Sequence, residues 1–163
     1  MENKKFSIDS NNRPLSKDEV KNLELWFGEK IPKDYQDFLL SFNGGVPKES
    51  YFIWQLRGHK LWVNKLYPFI DINSDEKLLG SICWAHQIFG NFVPQKYLII
   101  GTAVRDDLLM INLNKKDNGS VWMKFWDEVN KSSDEYMELH PDEAVYRLAD
   151  TFTDFMNSLT AYE

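Results

Sequence analysis

Ile31-Pro32-Lys33-Asp34-Tyr35-Gln36-Asp37-Phe38-Leu39-Leu40-Ser41-Phe42-Asn43-Gly44-Gly45 is the stretch on which the fold turns. Proline is best tolerated in the first turn of a helix, where its missing N–H has no partner to lose, so Pro32 marks a start. Tyr35, Phe38, Leu39 and Phe42 then recur on one face at helical spacing. Asn43-Gly44-Gly45 ends the helix by supplying residues that accept left-handed backbone.

A second helix precedes this one. Ser16-Lys17-Asp18-Glu19 reads as a capping box, in which the Ser16 hydroxyl accepts from the Glu19 N–H and the Glu19 carboxylate returns to the Ser16 N–H. Leu15 and Val20 supply the hydrophobic staple, Val20, Leu23, Trp26 and Phe27 the apolar face, and Gly28 the stop. The chain therefore opens with a helical pair.

Beyond Gly45 the pattern changes to short aromatic and β-branched runs at Tyr51–Leu56, Leu66–Ile72, Tyr97–Ile100, Leu108–Leu113 and Val121–Trp126, which read as strands. Asn118-Gly119 between the last two is a hairpin signal, since both residues accept positive φ. In the second hairpin strand Val121, Met123 and Phe125 alternate with Trp122, Lys124 and Trp126, which predicts a core face and a partly exposed aromatic face. Leu78 to Asn91, with Cys83, Trp84 and His86, reads as a short helix. From Pro141 onward Val145, Leu148, Ala149, Phe152, Phe155, Met156 and Leu159 fit one amphipathic closing helix. The expectation is an α+β fold: an N-terminal helical pair, a central and mostly antiparallel sheet, and a C-terminal packing helix. At 163 residues, one domain over 1–163 with a core from about 15 to 159 fills the chain.

Composition narrows the function. The net charge is −6, and Asp127 to Glu163 holds ten acids against Lys131 and Arg147. That balance speaks against a general nucleic-acid binder and fits either a solvated helix face or electrostatic steering of a basic partner. A single cysteine, Cys83, rules out an internal disulfide, and neither a signal-peptide core nor a membrane-length apolar run is present, so the expected location is the cytoplasm. Phosphate-binding glycine loops, nucleophile elbows, zinc-protease motifs and Cys-x-x-Cys pairs are missing. Neither a cofactor nor a metal is expected, because Cys83 and His86 have no companion pair to complete a zinc site. A small hydrolase using Asp106, Asp107 or His86 rests on residue types alone. The surplus of aromatics, six Trp among them, suggests a recognition surface instead. Trp54, Trp122 and Trp126 are the candidate apolar anchors, and Asp106, Asp107, Asp127 and Glu128 the candidate acidic rim. Exposed Trp122 and Trp126 would equally suit the seam of a homodimer, so a monomer and a homodimer both fit.

The Ile31–Gly45 stretch resembles the signature of the SUKH superfamily, which includes the yeast cell-wall glucan-synthesis regulators and many bacterial toxin-immunity proteins. Tyr97-Leu98-Ile99-Ile100-Gly101-Thr102, followed by Leu108–Leu113, the Asn118-Gly119 turn and Val121–Trp126, is similar to that family's isoleucine-glycine and hairpin core. Arg105-Asp106-Asp107 departs from it, because many members carry a Gly-Asp pair before the second strand. The resemblance implies a mixed, curved sheet, no catalytic residues, and a role in binding proteins. An immunity protein that neutralises a cognate toxin domain, such as a basic nuclease, by stoichiometric occlusion is the first expectation. A regulatory or scaffold module in cell-wall or envelope signalling is the alternative; that branch carries long extensions, whereas this chain stops close to its core.

Overall fold

The computed structural model describes residues 6–163. A two-residue β1 (Ile8–Asp9) precedes α1 (Lys17–Phe27) and α2 (Lys33–Ser41). β2 (Val46–Pro47) pairs with β1, and β3 (Tyr51–Trp54) and β4 (His59–Leu66) open the main sheet. After α3 (Ile82–Phe89) come β5 (Tyr97–Ala103), β6 (Leu108–Asn112) and β7 (Val121–Lys124), then α4 (Asp134–Leu139), β8 (Val145–Ala149) and α5 (Phe152–Asn157).

The capping box forms as read: Glu19 N–H donates to Ser16 Oγ at 3.2 Å and Ser16 N–H to Glu19 Oε1 at 3.1 Å. Gly28 stops α1 at φ 89°. In α2 the buried rings of Tyr35 and Phe38 meet Phe152 of α5 edge-on at 5.0 and 5.1 Å. Asp34 fastens the same contact, since its Oδ2 accepts from both the N–H and the hydroxyl of Thr153.

The main sheet runs β3-β4-β5-β6-β7-β8 in sequence order, antiparallel at every pairing rather than mixed. Its centre is buried on both faces, which is why β5 and β6 read as continuous apolar runs: Leu98 to Ile100 and Leu108 to Ile111 are fully covered. Register shifts in the β4–β5, β5–β6 and β7–β8 pairings add bend and twist. The sheet curls until Trp54 on β3 stacks on Phe125, which follows β7, at 4.1 Å, and lies 5.2 Å from Tyr146 on β8. First and last strands thereby touch through these rings on the core side, without pairing.

Several expectations are corrected. The strand expected at Leu66–Ile72 lies earlier, over His59–Leu66. There Leu61 and Val63 point inward and Lys60 and Trp62 outward, and Pro68, lacking an N–H, cannot continue a central strand. The closing helix is divided. Val145 to Ala149 add the sixth strand, Thr151 caps a new helix by accepting from Asp154 N–H at 3.0 Å, and only Phe152–Asn157 is helical. Val145 and Tyr146 favour a strand, and a sheet edge wins over a spacing that both periods satisfy. The short helix α4 was not anticipated. The β6–β7 hairpin forms, yet Asn118 sits at φ −67° and only Gly119 takes positive φ, because a 3-10 turn over Lys115–Asp117 lengthens the loop. The supposedly open face of β7 is covered: Lys124 has no exposure, while Trp122 and Trp126 are half-buried.

Candidate protein-binding surface

At one end of the sheet three turns meet. The β5–β6 connection reverses through Arg105 and Asp106 at φ 59° and 58°, the geometry of a type I′ hairpin turn built without glycine. Two consecutive left-handed side-chain residues cost on the order of 1 kcal/mol each. Neighbouring groups hold them there. The Trp126 indole N–H donates to the Asp106 carbonyl at 3.0 Å, the Trp126 backbone N–H to Asp107 Oδ1 at 2.9 Å, and Arg105 Nη1 to Asp127 Oδ2 at 2.6 Å. The Trp126 ring lies against Phe89 and Phe92. Glu128 accepts both arms of the Arg57 guanidinium at 2.6 and 2.8 Å, and Arg57 covers the Trp54 ring at 5.2 Å.

The structure thus gathers Asp106, Asp107, Trp126, Asp127 and Glu128, five of the seven sequence candidates, into one cluster. Their roles differ from the expectation. Asp107 is buried at 4% exposure and serves as a brace; Asp127 and Glu128 are each met by an arginine; Asp106 keeps its carboxylate at the surface. Trp54, also 4% exposed, is a core ring beneath the cluster and cannot anchor a partner from the surface. Trp122 stands apart on β7, donating to Ser120 Oγ and packing against Tyr97 and Arg147. Sequence reasoning missed Arg57, Phe89 and Phe92. None carries a motif, and all three reach the cluster from segments distant in the chain.

His86 and Cys83 lie within the fold, away from this cluster. His86 Nε2 accepts from the Ile99 N–H at 2.8 Å, a β5 donor that β4 has run out of length to reach. Burial pushes the imidazole down to about 4. Burial pushes the Cys83 thiol up to about 11, away from a nucleophile. Among the described residues no group of three or more His, Cys, Asp or Glu is placed to hold a metal, and no helix is long and apolar enough to cross a membrane.

Two buried groups give opposing pH dependences. His86 is depressed to about 4, so the unfolded chain binds the extra proton first and stability falls as pH drops below about 6.5. Burial raises Asp107 to about 6 against the opposing Trp126 N–H, so its contribution is complete below about 3.8 and disappears as pH rises through 6. Between pH 6 and 4.5 the two offset one another. Asp107→Asn, which keeps an acceptor for Trp126, should uncover the histidine slope of about 1.4 kcal/mol per pH unit. His86→Gln, which keeps an acceptor for Ile99, should instead gain stability over the same interval. Urea midpoints at pH 4.5 and 6.5 check this; identical slopes in all three proteins would refute it.

Elements and cluster together define an α+β fold on one curled antiparallel meander, entered through a helical pair and braced at one end by interlocked turns. Residues 14–158 match the SMI1 / KNR4 family (SUKH-1), and the chain belongs to that family. It is also similar to the SPbeta prophage-derived uncharacterized protein YokK of Bacillus subtilis (strain 168), at 26% identity over 96% of this chain and 81% of the relative.

Proposed function

We propose that this protein is an immunity protein of the SUKH type, which binds a cognate toxin domain in the cytoplasm and neutralises it stoichiometrically, by covering its active site or substrate channel and without catalysis. Family membership supports the class of function. The observation that carries the reading is the interlocked turn cluster: a strained reversal held by three polar contacts displays Asp106, Asp127 and the edge of Trp126 from a fixed frame. Preorganised aromatic and charged groups are what a tight inhibitor needs, because little ordering entropy is left to lose on binding. Asp134 and Glu135 on the exposed first turn of α4 extend the acidic character. A toxin that holds phosphates has a basic channel, which this surface would attract and occlude.

The test is co-expression with the toxin domain encoded beside the gene. Wild type should restore colony formation. The triple reversal Asp106→Lys, Asp134→Lys and Glu135→Lys, all at exposed carboxylates, should abolish rescue and slow association at least tenfold at low salt, with a smaller deficit at 300 mM. Rescue and association rate unchanged by the triple reversal would overturn the electrostatic reading, and toxicity undiminished by wild type would overturn immunity.

A further inference from the structure

We infer that the outer face and free edge of the β3–β4 hairpin form a second docking surface, one that takes an extended acidic segment of a protein as an added strand. Four observations meet there. The strand register puts Tyr51 opposite Trp62 and Ile53 opposite Lys60, so these four side chains share the face turned away from Phe52, Leu61 and the core. Ile53 is 49% and Trp62 40% exposed, and Tyr162, 76% exposed, leans on Tyr51 at 5.2 Å. This is a contiguous aromatic and aliphatic patch rather than scattered apolar residues.

The backbone edge is open beside it. Tyr51 exchanges both its N–H and its C=O with Thr160, at 3.1 and 2.8 Å, on the side away from β4. Two residues on, Ile53 must direct its N–H and C=O to the same side, where β3 is the outermost strand and no further pairing exists among the described residues. Main-chain groups beside exposed side-chain contacts are the elements of recognition by strand addition.

Charge selects the occupant. In a chain of net charge −6, Ser50 to Ile70 contains no Asp or Glu and carries Arg57, Lys60 and Lys65. Arg57 is engaged by Glu128. Lys60 lies over the faces of Tyr51 and Tyr162, at 5.1 and 5.2 Å, and forms no ion pair among the described residues, so it is placed to meet a carboxylate at the centre of the patch. The same geometry argues against single-stranded nucleic acid, because Lys60 occupies the two tyrosine faces on which bases would stack. The surface is opposite in sign to the acidic turn cluster, which meets the same hairpin at its tip through Arg57, and the inference stands without the immunity reading.

The probe is a fluorescein-labelled peptide, Glu-Val-Glu-Tyr-Glu-Val-Glu, with its all-Lys counterpart, a version N-methylated at alternate residues, and labelled oligothymidylate. Fluorescence polarisation with the full chain should show binding of the acidic peptide alone. Lys60→Glu and Trp62→Ala, both at exposed positions, should each weaken it at least tenfold, and Lys21→Glu on α1 should leave it unchanged. N-methylation should abolish binding, since pairing at Ile53 needs the peptide's own N–H groups. Binding of the acidic and Lys peptides with equal strength, failure to bind the acidic peptide, affinity unaltered in the Lys60 and Trp62 variants, or oligothymidylate binding lost in Trp62→Ala would each overturn the inference. Sedimentation showing a dimer that Ile53→Lys dissolves would assign the face to a second copy of the chain and overturn it equally.

Discussion

Asn43→Ala is expected to cost about 3 kcal/mol and to lower the melting temperature by roughly 10 °C, the scale for a chain of this length. The Asn43 side chain is buried and behaves as a piece of strand: its Nδ2 donates to the Phe69 carbonyl at 3.1 Å and its Oδ1 accepts from the Phe69 N–H at 2.8 Å. Alanine leaves both backbone groups without a partner in a site water does not reach. It also inherits φ 50°, a region asparagine tolerates better than alanine. Asn43→Gly should recover about 1 kcal/mol of the loss, the backbone part, and leave the hydrogen-bond part in place. Next in line, a Cβ on Gly44 would lie 2.7 Å from the Leu66 carbonyl oxygen and from the Pro68 nitrogen, so Gly44→Ala should be similarly disruptive. Guanidinium unfolding of the three variants measures these terms; an Asn43→Ala midpoint equal to wild type would refute the account.

That same triplet shows which parts of the protein are legible from sequence. Asn43-Gly44-Gly45 stops α2 and then forces a close crossing over the strand end at Leu66, where Gly45 pairs with Leu66 in both directions. A role so narrow in conformation leaves a mark in residue type, and the capping box at Ser16 and Glu19 is legible for the same reason. β4 and β8 were not. Lys60 and Trp62 dilute the apolar alternation of one, and the other has Val145, Leu148 and Ala149 at spacings that a helix satisfies as well as a strand. Missing β8 had a further consequence for the candidate site, since a β7 read without its outer neighbour presents Lys124 and Trp126 to solvent. The cluster itself was legible as residue types, Asp106, Asp107, Trp126, Asp127 and Glu128, but not as geometry. Whether a carboxylate braces a backbone N–H, pairs with an arginine or faces a partner is decided by turns that come together only once the sheet has curled.

Lys124 carries the second large effect, and Lys124→Ala is expected to cost about 4 kcal/mol, the range for removing one partner from a buried charged site and leaving a cavity behind. The residue is fully buried in β7, between β6 and β8, and its ammonium donates to the carbonyls of Pro141 and Glu143 at 3.1 and 2.6 Å. Those two oxygens belong to the turn that delivers the chain into β8, and Phe125 N–H fastens the same turn by donating to the Ala144 carbonyl at 2.9 Å. The lysine therefore acts as a clamp on the last strand, not as an exposed charge. Lys124→Met separates the contributions: the stem is largely refilled while both carbonyls lose their donor, so about 2 kcal/mol should remain. Burial lowers the lysine pKa, with Glu143 and Asp142 opposing, so in wild type the unfolded chain binds more protons in the window between that lowered value and 10.5, and stability should rise with pH there. Lys124→Met should lack that alkaline rise. Hydrogen exchange at Val145 and Tyr146 should accelerate in both variants before exchange at Leu109 or Ile111, since freeing the turn loosens the edge strand first. Uniform acceleration across the sheet would show that Lys124 supports the core as a whole and not the entry of β8.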